Sequence, residues 1–221
     1  MSEVQNPDWI TAWTDAGTAR QQAQLMHNEF LAWSNGAPHG PFEAFSKLAA
    51  KACAVSMLDV GCGAGIYSKV WGKIASSRRY LGCDQAPNMI REASAAHNSQ
   101  TFIIADATNL PLADKSFQLV LLSGIVNCGG PWESMILEAY RVARRFILVH
   151  RVPVYLEGPD THIGAQDIYG HTAPEREFNE QFFVYHVEQF GPIVGMEEWP
   201  RCGGNAASYL IDVAENKNDS L

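Results

Sequence analysis

The stretch Met57-Leu58-Asp59-Val60-Gly61-Cys62-Gly63-Ala64-Gly65-Ile66-Tyr67 constrains this chain more than any other. It starts as an apolar run of strand type and passes into glycines at alternate positions. Beyond them Ile66, Val70 and Ile74 recur every four residues, with Tyr67 and Trp71 one step on, which predicts a helix with one buried stripe. Strand, glycine turn and helix form the nucleotide-binding corner of a doubly wound α/β fold. The glycines admit a tight turn and bring a ligand against main chain with no Cβ between them. A dinucleotide corner uses G-x-G-x-x-G, with pyrophosphate on the helix N-terminus. Here the spacing is G-x-G-x-G with Asp59 two residues ahead. A carboxylate there disfavours an anion and favours a cationic ligand. On the glycines alone, a Rossmann-type corner for another ligand stays open.

Further strands follow at the expected intervals. Tyr80-Leu81-Gly82-Cys83 ends in Asp84, about 20 residues past the last glycine, where nucleotide folds place the acid that holds ribose hydroxyls. Two acceptor oxygens suit two vicinal hydroxyls. The same acid is also placed to cap the helix that opens at Ala86-Pro87. A third strand over 101–105 ends in Asp106-Ala107, and the apolar run 117–122 has the composition of a strand covered on both faces. Pro131 opens a helix burying Trp132, Met135, Ile136, Ala139 and Ala143, and a fifth strand runs over 146–151.

Residues 1–53 precede this unit and read as a helical cap. Trp9 and Trp13 lie one turn apart, Ala23, Met26, Phe30 and Trp33 share a face, and Phe42, Phe45, Leu48, Ala49 and Ala52 make a second stripe after Pro41. These helices form either a lid at a cofactor mouth or a cover for the sheet. His27 and His39 read as surface residues. After the fifth strand, 152–177 shows no clear periodicity and reads as a loop. It leaves the edge at which ligands bind in such sheets, so the expectation is a substrate loop. Phe178, Phe182, Val187 and Phe190 predict a last helix ended by Gly191. Two antiparallel strands, around 193–199 and 206–213, close the sheet, and 216–221 is a polar tail.

Composition excludes several alternatives. The net charge of −8 works against a polyanionic partner, so nucleic acid is not expected. Arg78-Arg79 forms one small basic spot. The other, Arg141 with Arg144 and Arg145, falls at a predicted helix end, where cations complement the dipole. No apolar run approaches the roughly 20 residues of a membrane span. The polar start 1–6 lacks a signal pattern, so a cytoplasmic protein is expected. The five cysteines, Cys53, Cys62, Cys83, Cys128 and Cys202, form no C-x-x-C pair. They read as free thiols, with no metal site.

Asp59-x-Gly61-x-Gly63-x-Gly65, then Asp84, then Asp106-Ala107-Thr108-Asn109-Leu110-Pro111-Leu112 resemble the class I S-adenosylmethionine-dependent methyltransferases. The resemblance covers 56 to about 214. It implies a doubly wound, Rossmann-like, seven-stranded, mostly parallel sheet with a terminal antiparallel strand, in a domain over 54–215 behind the N-terminal helical cap. It implies S-adenosyl-L-methionine held by Asp59, Gly61, Cys62, Gly63, Gly65, Tyr67, Asp84, Gln85, Asp106, Ala107, Ser123 and Gly124, with a small-molecule or saccharide acceptor near Asn127, Arg151, Gln166 and Tyr169. Asp84 would take the ribose hydroxyls and Asp106 the adenine amine, while Tyr67 would add cation–π stabilisation or simply pack.

Methyl transfer needs positioning and desolvation, plus a base where the acceptor is a hydroxyl. His150, His162 and His171 are the candidate bases. His150 equally suits a core histidine, and Arg151 is placed to clamp an anionic acceptor. Ser123-Gly124-Ile125-Val126-Asn127-Cys128 differs from the N/D-P-P-Y/F of enzymes that methylate base amines. The paired acids of arginine methyltransferases and the magnesium ligands of catechol-type enzymes are also missing. A narrower resemblance, over His150-Arg151-Val152-Pro153, Gly158-Pro159-Asp160-Thr161, Gln166 and Phe178-Asn179, is to methyltransferases associated with bacterial surface polysaccharides, with Asp160 interrupting their pattern. The expected function is O-methylation of a small or glycan acceptor. The rivals are N- or carboxyl-methylation of a metabolite, or a non-catalytic cofactor-binding subunit.

Overall fold

The computed structural model describes residues 8–74, 79–201 and 203–215. The expectations for 1–6, Arg78, Cys202 and 216–221 fall outside these, as does the side chain of Trp9.

Alternation along the first strand sets up two cores. In β1 (Ser56–Val60), Leu58 and Val60 face one way and Met57 the other. β1 pairs in parallel with β2 (Arg79–Asp84) on one side and β4 (Phe117–Ser123) on the other. β3 (Thr101–Ile104) extends the sheet past β2, and β5 (Ala143–Tyr155) extends it past β4. Because a strand's side chains alternate, Val120 and Leu122 join the core of Leu58, while Leu119 and Leu121 join that of Met57. The first core is covered by α6 (Trp132–Val142) and α7 (Glu180–Val187) through Trp132, Ile136 and Phe183. The second is covered by α3 (Gly40–Ala52) and α4 (Ile66–Ile74) through Phe42, Phe45, Val70 and Trp71. Each fully buried Phe or Leu contributes about 1.5–3 kcal/mol, and both faces carry several.

α1 (Asp8–Thr14) and α2 (Ala16–Ser34) precede α3, and Asp15 caps α2 by accepting from the Thr18 N–H at 2.8 Å. α5 (Pro87–Ala96) follows β2 and packs on α2 around Ala19, Ala86 and Met89.

Among the described residues the sheet has nine strands where seven were expected, in the order β3-β2-β1-β4-β5-β7-β6, with β9 (Gly204–Asp212) antiparallel to both β5 and β8 (Ile193–Arg201). The doubly wound parallel sheet with antiparallel closure is as expected. The segment 152–177 is not. It forms a hairpin of β6 (Thr161–Ile168) and β7 (His171–Asn179), paired throughout from Thr161↔Phe178 to Ile168↔His171. The two turn residues, Tyr169 and Gly170, have φ of 53° and 88°, which matches the twist of the flanking strands. The hairpin escapes a periodicity reading because β6 is mostly exposed on both faces. Main-chain pairing therefore builds it, with no buried stripe to announce it. Phe178 lies in β7, which runs on to Asn179, so the last helix starts two residues later than its aromatic spacing suggests.

Candidate active site

The carboxyl ends of β1, β2, β3, β4 and β5 open on one cavity of about 670 Å³. Its first half is made by the strand tips. Gly61 and Gly63 line it with φ of 69° and 51°. A Cβ on Gly61 would come 2.6 Å from the Ile125 side chain, and one on Gly63 would come 2.6 Å from Gln22 Oε1. Backbone conformation therefore favours glycine at both positions, and space adds to it at Gly61, where the branched Ile125 Cβ stands 3.1 Å away. Gly65, at φ 80°, faces Phe102 and His97 instead and does not line the cavity.

Asp84 ties two tips together. Its Oδ2 accepts from the Gly63 N–H and its Oδ1 from the Ala86 N–H, both at 2.9 Å. Burial raises its pKa, and the two N–H groups act against that rise. Each oxygen spends one lone pair on backbone and keeps another at the cavity wall. Gln85 lies beside it. At the next tip, Asp106 Oδ1 accepts from the Thr108 N–H and Oγ1, both at 2.8 Å, and Ala107 adjoins. Ser123 and Gly124 complete this half. Ser123 Oγ and Asn127 Oδ1 are buried without a hydrogen-bond partner, although both residues line the cavity. Orphaned buried acceptors of this kind cost roughly 1–3 kcal/mol each unless a ligand or water meets them.

The second half is built from side chains of distant segments. Gln22, Met26 and Glu29 come from one face of α2, and His39, Pro41 and Phe42 from the start of α3. Arg151, Gln166, Tyr169, Glu175, Trp199 and Arg201 come from β5, the hairpin and β8. Gln22 Oε1 also accepts from the Ala64 N–H at 3.3 Å, so α2 is hydrogen-bonded to the glycine turn. The hairpin is fixed by the Arg176 N–H donating to Asn127 O at 2.7 Å and by Arg176 Nη1 donating to Gly130 O at 2.9 Å. Arg201 is paired with Glu175 at 2.7 Å. Arg151 lines the cavity with no carboxylate partner among the described residues. It sits at φ 62°, where the β5–β9 register shifts between Val149 and Val152. Such a bulge re-aims a side chain that a regular strand would direct elsewhere.

Of the expected site residues, Gly61, Gly63, Tyr67, Asp84, Gln85, Asp106, Ala107, Ser123, Gly124, Asn127, Arg151, Gln166 and Tyr169 line this one cavity. Others do not. Asp59 is fully buried behind the turn and accepts from the Tyr80 hydroxyl at 2.7 Å. Burial pushes its carboxyl up to about 7, opposed by the Tyr80 bond and assisted by the nearby Asp84 charge. A cationic ligand therefore does not meet its side chain. Cys62 is buried and reaches only a side pocket of about 50 Å³.

The three histidines expected as bases lie off the cavity. His150 is wholly buried, with Nε2 2.7 Å from the Tyr67 hydroxyl and Nδ1 2.6 Å from Ser208 Oγ. Desolvation, then the positive charge of Arg151, hold it well below the usual imidazole range. It is the core histidine, locking β5 to α4 and β9. His162 stands exposed on β6, 3.7 Å from Glu177. His171 stands 3.8 Å from Asp15. The residues the sequence reading missed are Gln22, Glu29, His39, Glu175, Trp199 and Arg201. His39, expected at the surface, lines the cavity. The signals for α2 and α3 were there: Gln22, Met26 and Glu29 fall at i, i+4 and i+7, and His39 immediately precedes a Gly-Pro helix start.

Comparison with known proteins finds its match over the segment that supplies the strand tips. Residues 58–145 match the methyltransferase domain family. A malonyl-[acyl-carrier protein] O-methyltransferase of Serratia marcescens is 31% identical over 91 residues, covering 40% of this chain and 34% of that protein. The chain thus spans about a third of that curated relative's length. Among solved structures, a protein of Pyrococcus horikoshii OT3 superposes with a TM-score of 0.60 at 16% identity, covering 77% of this chain and 88% of the other. A SAM-dependent methyltransferase of Methanosarcina mazei gives 0.57 at 18%, covering 71% and 90%. At such identities the likeness is one of fold.

Proposed function

We propose that the chain carries a class I methyltransferase domain and transfers a methyl group from S-adenosylmethionine to an oxygen of a small, polar acceptor. The observation that carries this reading is a single cavity shared by the glycine turn, Asp84 and Asp106 on one side and by Arg151, Glu29 and Tyr169 on the other. The first half fits an adenosyl ligand. Asp84 has spare lone pairs for a vicinal diol, and Asp106 has a second oxygen for an exocyclic amine. Bound there, the cofactor would supply an activated methyl group. The chain's own residues would orient the acceptor, exclude water through α2 and the hairpin, and hold charge with Arg151.

The curated relatives are named for O-methylation of a malonyl group, a carboxylate. Arg151, with no carboxylate partner among the described residues, suits an anionic group on the acceptor, since a guanidinium binds a carboxylate or phosphate bidentately. A glycan acceptor is compatible only if it carries such a group, as a sugar acid does. The test is titration calorimetry with S-adenosylhomocysteine, followed by mass spectrometry of methylated products. Binding of that product cofactor without uptake of NAD is expected. Asp84→Asn should weaken it about 10–100-fold, the scale of losing hydrogen bonds to a charged group. Uptake of NAD in its place would overturn the reading.

A further inference from the structure

Four carboxylates line the cavity among the described residues: Glu29, Asp84, Asp106 and Glu175. Asp84 takes two backbone N–H groups, one on each oxygen. Asp106 takes the Thr108 N–H and hydroxyl on Oδ1 and stands in the strand-tip half, and Glu175 is neutralised by Arg201. Glu29 stands in the other half with no cationic Arg or Lys against it among the described residues: its Oε2 lies 3.2 Å from His39 Nε2, and its Oε1 makes no hydrogen bond there.

His39 is held in a way that decides its role. Its Nδ1 accepts from the Phe42 N–H at 3.2 Å, capping α3, and its ring stacks on Phe42 at 3.9 Å between centroids. An Nδ1 that accepts leaves the ring proton on Nε2, facing Glu29. The imidazole therefore has no nitrogen left to take a proton from a ligand. It orients the carboxylate beside it, in the arrangement of a base with its orienting group.

The pair is not needed to fasten α2 to α3. Phe30, Trp33 and Phe42 already do so, with ring centroids 5.6–6.5 Å apart. Nor do the other titratable groups on the wall compete. Burial pushes the Tyr67 hydroxyl and the Cys128 thiol each up to about 12, so both keep their protons. Tyr169 is raised by burial and then by the charge of Glu29, while Arg151 opposes the rise. Glu29, Tyr169 and Arg151 all line the same cavity. His39 is in contact with Glu29, and Tyr169 and Arg151 share its wall.

We infer that Glu29 accepts the proton of a hydroxyl acceptor that carries an anionic group at Arg151, with His39 as the positioning residue; this rests on the methyltransferase reading above. The acceptor oxygen forms a bond to the methyl carbon as the carbon–sulfur bond breaks with its electron pair on sulfur. The hydroxyl proton passes to Glu29 and then to water, through the third of the Glu29 side chain that is exposed. A carboxylate acceptor already lacks its proton and would need no such group. Glu29 therefore points to a hydroxy acid or hydroxylated phosphate in place of a simple carboxylate.

The test assays the full chain with methyl-labelled S-adenosylmethionine against salicylate, glycerate and glucuronate, with benzoate and malonate as acceptors that lack a hydroxyl. Mass spectrometry then separates ethers from esters. The expected products are ethers. Glu29→Gln should lower kcat by about 10²–10⁴-fold and remove the acidic limb of the kcat–pH profile. It should leave the melting temperature and the affinity for S-adenosylhomocysteine within about twofold of wild type. Glu29→Asp should restore part of the rate. His39→Asn, whose amide oxygen preserves the Phe42 cap, should displace the acidic limb without abolishing it. The inference is overturned by Glu29→Gln with wild-type kcat and pH profile. It is equally overturned if the protein binds S-adenosylhomocysteine but forms only esters, or methylates no hydroxyl in the set. Absence of cofactor binding in the wild type would instead remove the methyltransferase reading itself.

Discussion

The two halves of the cavity are made by different means. The cofactor half is largely main chain at the tips of adjacent parallel strands, with Gly61, Gly63, Asp84 and Asp106 each fixed by its own turn. The acceptor half is side chains brought together from α2, α3, the β5 bulge and the β6–β7 hairpin. In the first half, local sequence dictates geometry, because a strand end and a glycine turn place a ligand wherever they occur. In the second, no segment holds the site alone. Each side chain depends on long-range packing, so residues as far apart in sequence as Glu29 and Tyr169 line one cavity. Cofactor binding should therefore respond to backbone changes, and acceptor turnover to side-chain changes.

Gly61→Val strikes the first half hardest. The new side chain meets Ile125 and must hold a left-handed φ, so affinity for S-adenosylhomocysteine should fall about 100-fold or more by calorimetry. Retained affinity would mean that the turn does not touch the cofactor. His150→Ala separates stability from chemistry. It leaves the Tyr67 and Ser208 hydroxyls unpaired, so denaturant unfolding should show a loss of about 3 kcal/mol while the kcat–pH profile keeps its shape. A vanished pH limb would return His150 to the role of base. Arg151→Gln should lower kcat/KM for anionic acceptors about 10–100-fold and leave cofactor affinity unchanged, confining the damage to the second half.

Smaller effects follow from charges off the cavity. Asp59 has a raised pKa in the folded state, so the unfolded chain ionises first as pH climbs. Its presence costs nothing near pH 3, costs increasingly up to about pH 7, and costs a constant amount above that. Asp59→Asn should raise the melting temperature at pH 8 but not at pH 3, by an amount equivalent to about 1–3 kcal/mol. An equal shift at both pH values would locate the effect in packing. His162→Ala and His171→Ala should change stability by no more than about 0.5 kcal/mol and leave turnover unaltered. A rate loss in either would move the acceptor toward the hairpin's outer face.

The same contrast explains what could be read in advance. The strands from 56 to 151, the glycine turn and the two tip acids were legible because each is a local pattern with one structural outcome. Asp59 shows the limit even there: the motif reveals that an acid precedes the glycines, and only the fold shows it turned toward Tyr80. The hairpin was hidden because Thr161–Ile168 is stabilised by ladder hydrogen bonds, with few buried side chains to create a period. Its turn residue Tyr169 lacks the Asn, Asp or Gly that marks such turns. In sequence, His150 stands nearest a strand end, the place where such folds put catalytic groups. Burial decided otherwise, and His39, distant in sequence, took the place at the cavity.

The central claim is that one cavity joins a cofactor half to an acceptor half. A crystal structure with S-adenosylhomocysteine bound tests it most directly. The account predicts ribose hydroxyls on Asp84, adenine beside Asp106, and the sulfur opening toward the space between Arg151 and Glu29. A sulfur turned away from that space, or walled off from Glu29, would contradict it.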